Sequence, residues 1–250
     1  MLTDFRQRLL AGDNLIGTAI SLESADTAEL LSRLGFDWFF IDAEHAPLSP
    51  REVQHIIRAA SPIPCVVRIS RGDEVSIKRA LDVGAAGIIV PRVNSAAQAR
   101  LVVSFSKYPP QGSRGVGLSR AQTYGLSASE YFSQANQHTA VIVQAEHIDA
   151  VDAIDEICEV DGVDAVFVGP ADLSASLERL GKLDDPLVVD AIARVTSASI
   201  ANSMKLGYYA GDPGEAREKI AEGYSLMCCS TDIRLLADGA TSLLTATRGE

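Results

Sequence analysis

Val141-Ile142-Val143-Gln144-Ala145-Glu146 and, one helical stretch later, Ala165-Val166-Phe167-Val168-Gly169-Pro170-Ala171-Asp172 are two short apolar runs, each closed by a carboxylate. Runs of this length, rich in β-branched residues and without polar alternation, are the pattern of strands buried on both faces. A helix between them makes the strands parallel neighbours, so Glu146 and Asp172 leave the same end of one sheet. Two carboxylates held there make a site for a hard divalent cation.

Outward from this pair the chain alternates strand and helix from end to end. Strands are expected near 15–21, 38–43, 65–70, 87–92, 140–146, 164–169, 206–211 and 225–230. The stretches between them carry apolar residues at three- and four-residue spacing, the mark of helices packed on one side. Ser49, Pro50 and Glu52 read as an N-cap, a first-turn proline and the far half of a capping box, and Pro62 closes that helix. Gly35, Gly84 and Gly223 stand where left-handed helix ends belong. A short helix over about 3–11, capped at Thr3 and stopped by Gly12, precedes the first strand. Eight such repeats without a linker predict one (β/α)8 TIM barrel domain over 1–250. A doubly wound open sheet is the alternative, but Ser21-Leu22-Glu23-Ser24-Ala25-Asp26 after the first strand lacks the glycine-rich phosphate turn of that fold. The segment 109–138 after strand four, with a helix around Ser129–Gln137, is too long for an ordinary connection and is expected to form part of the active-site rim.

At 250 residues with 47% hydrophobic content, one large core is possible. A net charge of −11 disfavours nucleic acid and anionic membrane surfaces as partners. No apolar stretch reaches a membrane span and Met1-Leu2-Thr3-Asp4-Phe5-Arg6 does not begin a signal peptide, so a cytoplasmic protein is expected. Cys65, Cys158, Cys228 and Cys229 form no CxxC pair and read as small buried thiols of a reducing compartment.

In a barrel the chemistry sits at the C-terminal ends of the strands. The polar residues there are Asp42, Glu44, His45, Arg68, Arg92, Gln144, Glu146, Asp172, Asp212, Thr231 and Asp232. Asp212, Thr231 and Asp232 read as helix caps and Glu44 as a rim charge. Arg92 either belongs to the site or pairs with a neighbouring carboxylate. His147 should face away from Glu146, and His55 and His138 read as structural. In Asp42-Ala43-Glu44-His45 the aspartate is placed to orient the imidazole and hold its tautomer. A Schiff-base aldolase needs a lysine on a barrel strand, and Lys78, Lys107, Lys182, Lys205 and Lys219 all fall outside the expected strands. One well-placed histidine is too few for a zinc aldolase. Gly211-Asp212-Pro213-Gly214 is half a phosphate turn, and its aspartate repels an anion.

Phe36-Asp37-Trp38-Phe39-Phe40-Ile41-Asp42-Ala43-Glu44-His45-Ala46-Pro47 resembles the signature of the HpcH/HpaI family of metal-dependent class II pyruvate aldolases. The similarity continues through Pro64–Arg68, Ile77–Ala85, Tyr108–Gly117 and, most strongly, Gly162–Ser174, in order and spacing from about residue 12 to 240. The resemblance implies Glu146 and Asp172 as metal ligands, with Mg2+, Mn2+ or Co2+ as the ion. It implies Arg68 at the keto oxygen of pyruvate, His45 with Asp42 as the acid–base pair, and Gln144 beside the substrate. The turn Gly169-Pro170-Ala171-Asp172 would offer N–H groups to the pyruvate carboxylate. Family members form hexamers by swapping the last helix, and Asp82 matches a position that reaches a neighbour's site.

The implied activity is cleavage of a 4-hydroxy-2-oxo acid, such as a 2-dehydro-3-deoxy sugar acid or 4-hydroxy-2-oxoheptanedioate, to pyruvate and an aldehyde. The aldehyde part is expected to be a sugar-acid semialdehyde or succinate semialdehyde. Another enolate-forming lyase or condensing enzyme on a dicarboxylic acid, and a non-catalytic 2-oxo acid binding protein, are the alternatives. Ala43 stands where the family pattern has glycine, and His147-Ile148, Tyr208–Asp212 and Met227–Asp232 also depart from it. The last two segments would line the aldehyde half.

Overall fold

The computed structural model describes residues 2–249. Eight parallel strands, β1 (Leu15–Ile20), β2 (Trp38–Asp42), β3 (Cys65–Arg68), β4 (Gly87–Val90), β5 (Ala140–Ala145), β6 (Ala165–Val168), β7 (Lys205–Ala210) and β8 (Leu226–Thr231), pair in sequence order and close into a barrel. Helices α1 (Phe5–Ala11), α2 (Ala25–Ser32), α3 (Pro50–Ala59), α4 (Glu74–Asp82), α5 (Ala96–Ser106) and α6 (Ala128–His138) accompany the first half. Helices α7 (Ile148–Asp152), α8 (Ile154–Cys158), α9 (Pro170–Ser176), α10 (Pro186–Ala201), α11 (Pro213–Ala221) and α12 (Asp232–Arg248) accompany the second. This is the (β/α)8 architecture that the sequence predicts.

The period of two along each strand divides the core into an inner and an outer part. Trp38, Phe40, Val66, Ile89, Ile142, Phe167 and Cys228 form one buried cluster inside the barrel. Phe39, Ile41, Val67, Ile88, Val141, Val166 and Met227 face the helices in a second. Continued by one more step, the inner rows end in Asp42, Arg68 and Gln144, so strand parity delivers these side chains to one mouth, and Glu146 follows just past the end of β5. The parallel register sets Asp42 directly against Arg68.

The other end of the barrel is plugged by α1, whose Phe5 and Leu9 join the inner cluster. Phe5 packs 5.8 Å from the Trp38 ring. Arg6 clamps this helix by forked hydrogen bonds to Asp164 at 2.8–3.0 Å. Gly12 ends α1 with φ +86°, a conformation that only glycine adopts without cost. The N-terminal expectation needs correction: Asp4 occupies the cap position without a side-chain bond, and the Thr3 hydroxyl is buried with no hydrogen-bond partner among the described residues.

The Ser49–Glu52 capping box forms as expected, and Gly35, Gly84 and Gly223 are left-handed. All four cysteines are free, and Cys65, Cys158 and Cys228 are buried. Lys205 proves to be the first residue of β7, which places it at the plugged end, within reach of Gly12. The segment 109–138 differs more from expectation. It follows α5 rather than β4 and carries a 3-10 turn, Arg120–Gly125, before α6. A helix-to-strand connection arrives at the N-terminal ends of the strands, opposite the site. Its contacts agree: Arg114 pairs with Asp82 at 2.8 Å, and Arg120 donates to the Val83 carbonyl at 2.9 Å. The segment is therefore no part of this barrel's own active-site rim.

A Cβ at Gly17 would lie 2.6 Å from both the Trp38 carbonyl oxygen and its indole nitrogen. Gly17→Ala should destabilise the fold by about 1–3 kcal/mol through this overpacking. Thermal unfolding should register it as a loss of about 2–4 °C per kcal/mol. An unchanged melting temperature would mean that β1 and β2 have slack at this layer.

Candidate active site

Asp42 ends β2 with its carboxylate fully engaged. Arg68 donates from Nε to Oδ1 at 3.1 Å and from Nη2 to Oδ2 at 2.8 Å. The backbone N–H groups of Glu44 and His45 donate to Oδ1 at 3.1 and 3.2 Å. Burial works to raise this carboxyl, but the Arg68 hydrogen bonds and charge, with the two N–H donors, hold it below the usual aspartate range. The Arg68 guanidinium lies over the Phe40 ring, 5.1 Å from its centroid. The turn after β2 brings Glu44 back over the same arginine. Its Oε2 is 3.4 Å from Arg68 Nε and 3.8 Å from His45 Nε2. That oxygen is buried and accepts no hydrogen bond among the described residues. Burial raises the Glu44 carboxyl, and the nearby Arg68 and His45 offset this only in part.

On β5 the inner row continues through Gln144 to Glu146, which is 4% exposed. Arg92 is held at φ +53° after β4, and its backbone N–H donates to Glu146 Oε1 at 2.8 Å. Gln144 Nε2 donates to Glu146 Oε2 at 2.5 Å, leaving Gln144 Oε1 buried without a partner among the described residues. Burial, then the charges of Asp172 and Glu44, push the Glu146 carboxyl up to about 7. Asp172 comes from the first turn of α9, where Gly169 is the cap and Pro170 the first helical residue. The first-turn N–H groups of Ala171 and Asp172 have no carbonyl within the helix to bond. Gly169 must be glycine: a Cβ there would meet Gln144 Nε2 at 2.6 Å and the Glu146 side chain at 3.0 Å.

These residues surround two adjoining cavities that share His45 and Asp172. One, of about 280 Å³, is lined by Glu44, Glu146, Arg92 and His147. The other, of about 340 Å³, is lined by Asp42, Arg68, Gln144 and the Gly169–Asp172 turn together with Phe40, Phe167, Tyr209 and Thr231. Crowded, desolvated carboxylates with an orphaned oxygen among them fit a hard divalent cation. Among the described residues no three His, Cys, Asp or Glu side chains converge as a complete ligand set. Glu146 and Asp172 would therefore hold an ion with positions left for water and substrate.

The HpcH/HpaI aldolase/citrate lyase pattern matches residues 16–238. The chain belongs to that family. It is 38% identical over 247 residues to the hydroxypyruvate/pyruvate aldolase of Cupriavidus necator H16, covering 98% of this chain and 92% of that protein. It is 37% identical over 248 residues to the 2-keto-3-deoxy-L-rhamnonate aldolase of Salmonella gallinarum, covering 96% and 91%. The crystal structure of an HpcH/HpaI aldolase/citrate lyase family protein from Burkholderia cenocepacia J2315 superposes with a TM-score of 0.95 at 37% identity, covering 98% and 99%.

Within this HpcH/HpaI barrel several side chains differ from their sequence reading. The carboxylate beside the His45 ring is Glu44, because Asp42 is already saturated by Arg68 and two N–H donors. Glu44 is thus no simple rim charge. Arg92 makes no ion pair among the described residues; its part in the site is the backbone N–H. Asp232 does not cap α12. It accepts from the Ser21 and Leu22 N–H groups and from the Ser21 hydroxyl, tying β8 to β1, while Thr231 provides the cap. Asp212 caps α11 as expected. His147 caps α7 but also lines the smaller cavity. His138 bonds the Thr3 carbonyl at the plugged end. Phe40 and Phe167, missed as pocket walls, stand two residues before Asp42 and Gly169, so strand parity was the signal that could have found them.

The raised Glu146 carboxyl has a stability consequence in the ion-free protein. The folded state binds a proton that the unfolded state releases between about pH 4.5 and 7. Glu146 therefore stabilises least above pH 7 and most below the unfolded value. Glu146→Gln should raise ion-free stability at pH 8 by on the order of 2 kcal/mol, the gain shrinking toward pH 5. Melting curves in chelator at the two pH values test this. Identical curves at pH 8 would refute it.

Proposed function

We propose that this protein is a divalent-metal aldolase that cleaves a 4-hydroxy-2-oxo acid to pyruvate and an aldehyde. The observation that carries the reading is the meeting of Glu146, Asp172, Arg68 and His45 at the border of two cavities in the mouth of a family-typical barrel. Glu146 and Asp172 would hold the ion, Mg2+ or Mn2+ with Co2+ as a further candidate. When bound, the ion supplies Lewis acidity at the keto oxygen of the substrate.

The chain's own groups do the rest. Arg68 brings a fixed positive charge to the keto oxygen as negative charge develops there. Gln144 borders the same space, and the first turn at Gly169, Pro170, Ala171 and Asp172 offers free N–H groups to the substrate carboxylate. His45 takes the proton from the C4 hydroxyl, the C3–C4 bond breaks, and its electron pair passes into the enolate of pyruvate. The aldehyde departs and the enolate is protonated at C3. Asp42 acts by fixing Arg68, and Glu44 by bordering the imidazole.

Helix α12 supports assembly with further copies. Asp232 is its one buried residue, while Leu236, Leu243 and Leu244 form an exposed stripe. We read it as the element that docks on a neighbour in a homohexamer. No helix among the described residues is long and apolar enough to cross a membrane. The free buried thiols suit a reducing cytoplasm.

Pyruvate in heavy water with Mn2+ and this protein should lose its methyl proton signal, a readout of enolate formation that needs no aldehyde. Glu146→Gln or Asp172→Asn should abolish the exchange, and undiminished exchange in either variant would move the site elsewhere. His45→Ala should slow aldol cleavage by about 10²–10⁴-fold with little loss of pyruvate affinity. Equal losses in both would leave His45 a structural role.

Removal of residues 239–250 should convert the assembly to smaller species in light scattering. An unchanged mass would show that α12 does not hold it together.

A further inference from the structure

Between the β3–α4 and β4–α5 connections, against α5, lies a further cavity of about 310 Å³. Its floor is made by the buried side chains of Val90, Val93 and Val102. Two guanidiniums line it as well, those of Arg71 and Arg92. Neither side chain makes an ion pair or hydrogen bond among the described residues, and Arg71 acts on Asp73 through charge alone. Arg92 also lines the smaller cavity of the candidate active site, whereas Arg71 lines neither cavity there.

The polar side chains left free in this cavity are donors. Gln98 lends its Oε1 to the Asn94 N–H at 2.7 Å, which leaves its own amide N–H groups unspent. Asp73 is the one acid in the lining, and its carboxylate is taken up at the start of α4. It accepts from the Val75 and Ser76 N–H groups at 2.9 and 3.0 Å and from the Ser76 hydroxyl at 2.9 Å. Arg92 stands at φ +53°, where a glycine would present the same backbone N–H to Glu146 without strain. The backbone role therefore does not account for the guanidinium. In a chain of net charge −11, two cations without acidic partners beside one apolar floor call for an anion from outside.

We propose that this cavity binds a small aliphatic carboxylate, with its oxygens on Arg71 and Arg92 and its hydrocarbon part on the valine floor. A guanidinium matches the two oxygens of a carboxylate, and Gln98 adds a neutral donor. Each methylene that reaches the valines should tighten binding about fourfold. The site goes beyond the aldolase reading and does not depend on it, because it needs neither metal nor substrate.

Saturation-transfer NMR titrations in chelator, with acetate and butyrate as probes, test it. The wild type should bind butyrate saturably and about tenfold more tightly than acetate. Arg71→Ala and Arg92→Gly should each weaken butyrate binding about tenfold. The glycine keeps the N–H to Glu146 and suits the left-handed backbone, so a loss there belongs to the side chain. Arg71→Ala should retain pyruvate methyl exchange, and its loss of butyrate separates this cavity from carboxylate binding at the Gly169–Asp172 turn. No saturable binding, equal affinity for the two acids, or undiminished butyrate affinity in Arg71→Ala would overturn the proposal. A wild type that exchanges no methyl protons but binds butyrate as described would sink the aldolase reading and leave this site standing.

Discussion

Four carboxylates, Asp42, Glu44, Glu146 and Asp172, meet at the mouth of the barrel around one guanidinium that is already committed. Arg68 gives its forked face to Asp42 and only a longer contact to Glu44. The remaining negative charge is desolvated and mutually repelling, which is why burial and like charges raise Glu146 so far. Removing the charge or adding a cation are the two physical ways out. In the proposed aldolase the second is the one taken, and the rest of the site is then what orients a substrate beside the cation.

The barrel does this orientation with little dedicated machinery. Each inner row of a strand is apolar until its last step, where the same parity that filled the core delivers Asp42, Arg68 and Gln144. Their positions are thus as rigid as the core beneath them. Phe40 both packs in that core and underlies Arg68, so a core residue sets the height of a functional one. Gly169 completes the arrangement by letting α9 approach Gln144 and Glu146 closer than any side chain would permit.

This division explains what was legible in the sequence. Strands and their carboxylate ends follow from runs of apolar residues, and nothing long-range is needed to read them. The segment 109–138 was harder because its length was visible but its direction was not. Its end of the barrel depends on the helix before it being α5, so that the connection runs helix to strand. Glu44 is hidden from the sequence for a related reason. It lies beyond the last ladder residue, where parity no longer applies, and only the folded turn shows it bent back between Arg68 and His45. Sequence proximity pairs Asp42 with His45, while its strand neighbour Arg68, 26 positions away, claims its carboxylate.

Arg92 shows how the scaffold meets the cost of such a site. A non-glycine residue at φ +53° carries strain of about 1–3 kcal/mol, and it persists where surrounding structure enforces it. Here the strained backbone aims an N–H at Glu146 Oε1 while Gln144 holds Oε2. Both oxygens are thus held by the protein itself, and the side chain is ordered without any further partner. The same two donors are too weak to neutralise the carboxylate, which stays raised despite them. The site therefore combines a rigidly held carboxylate with a charge that its own donors do not satisfy.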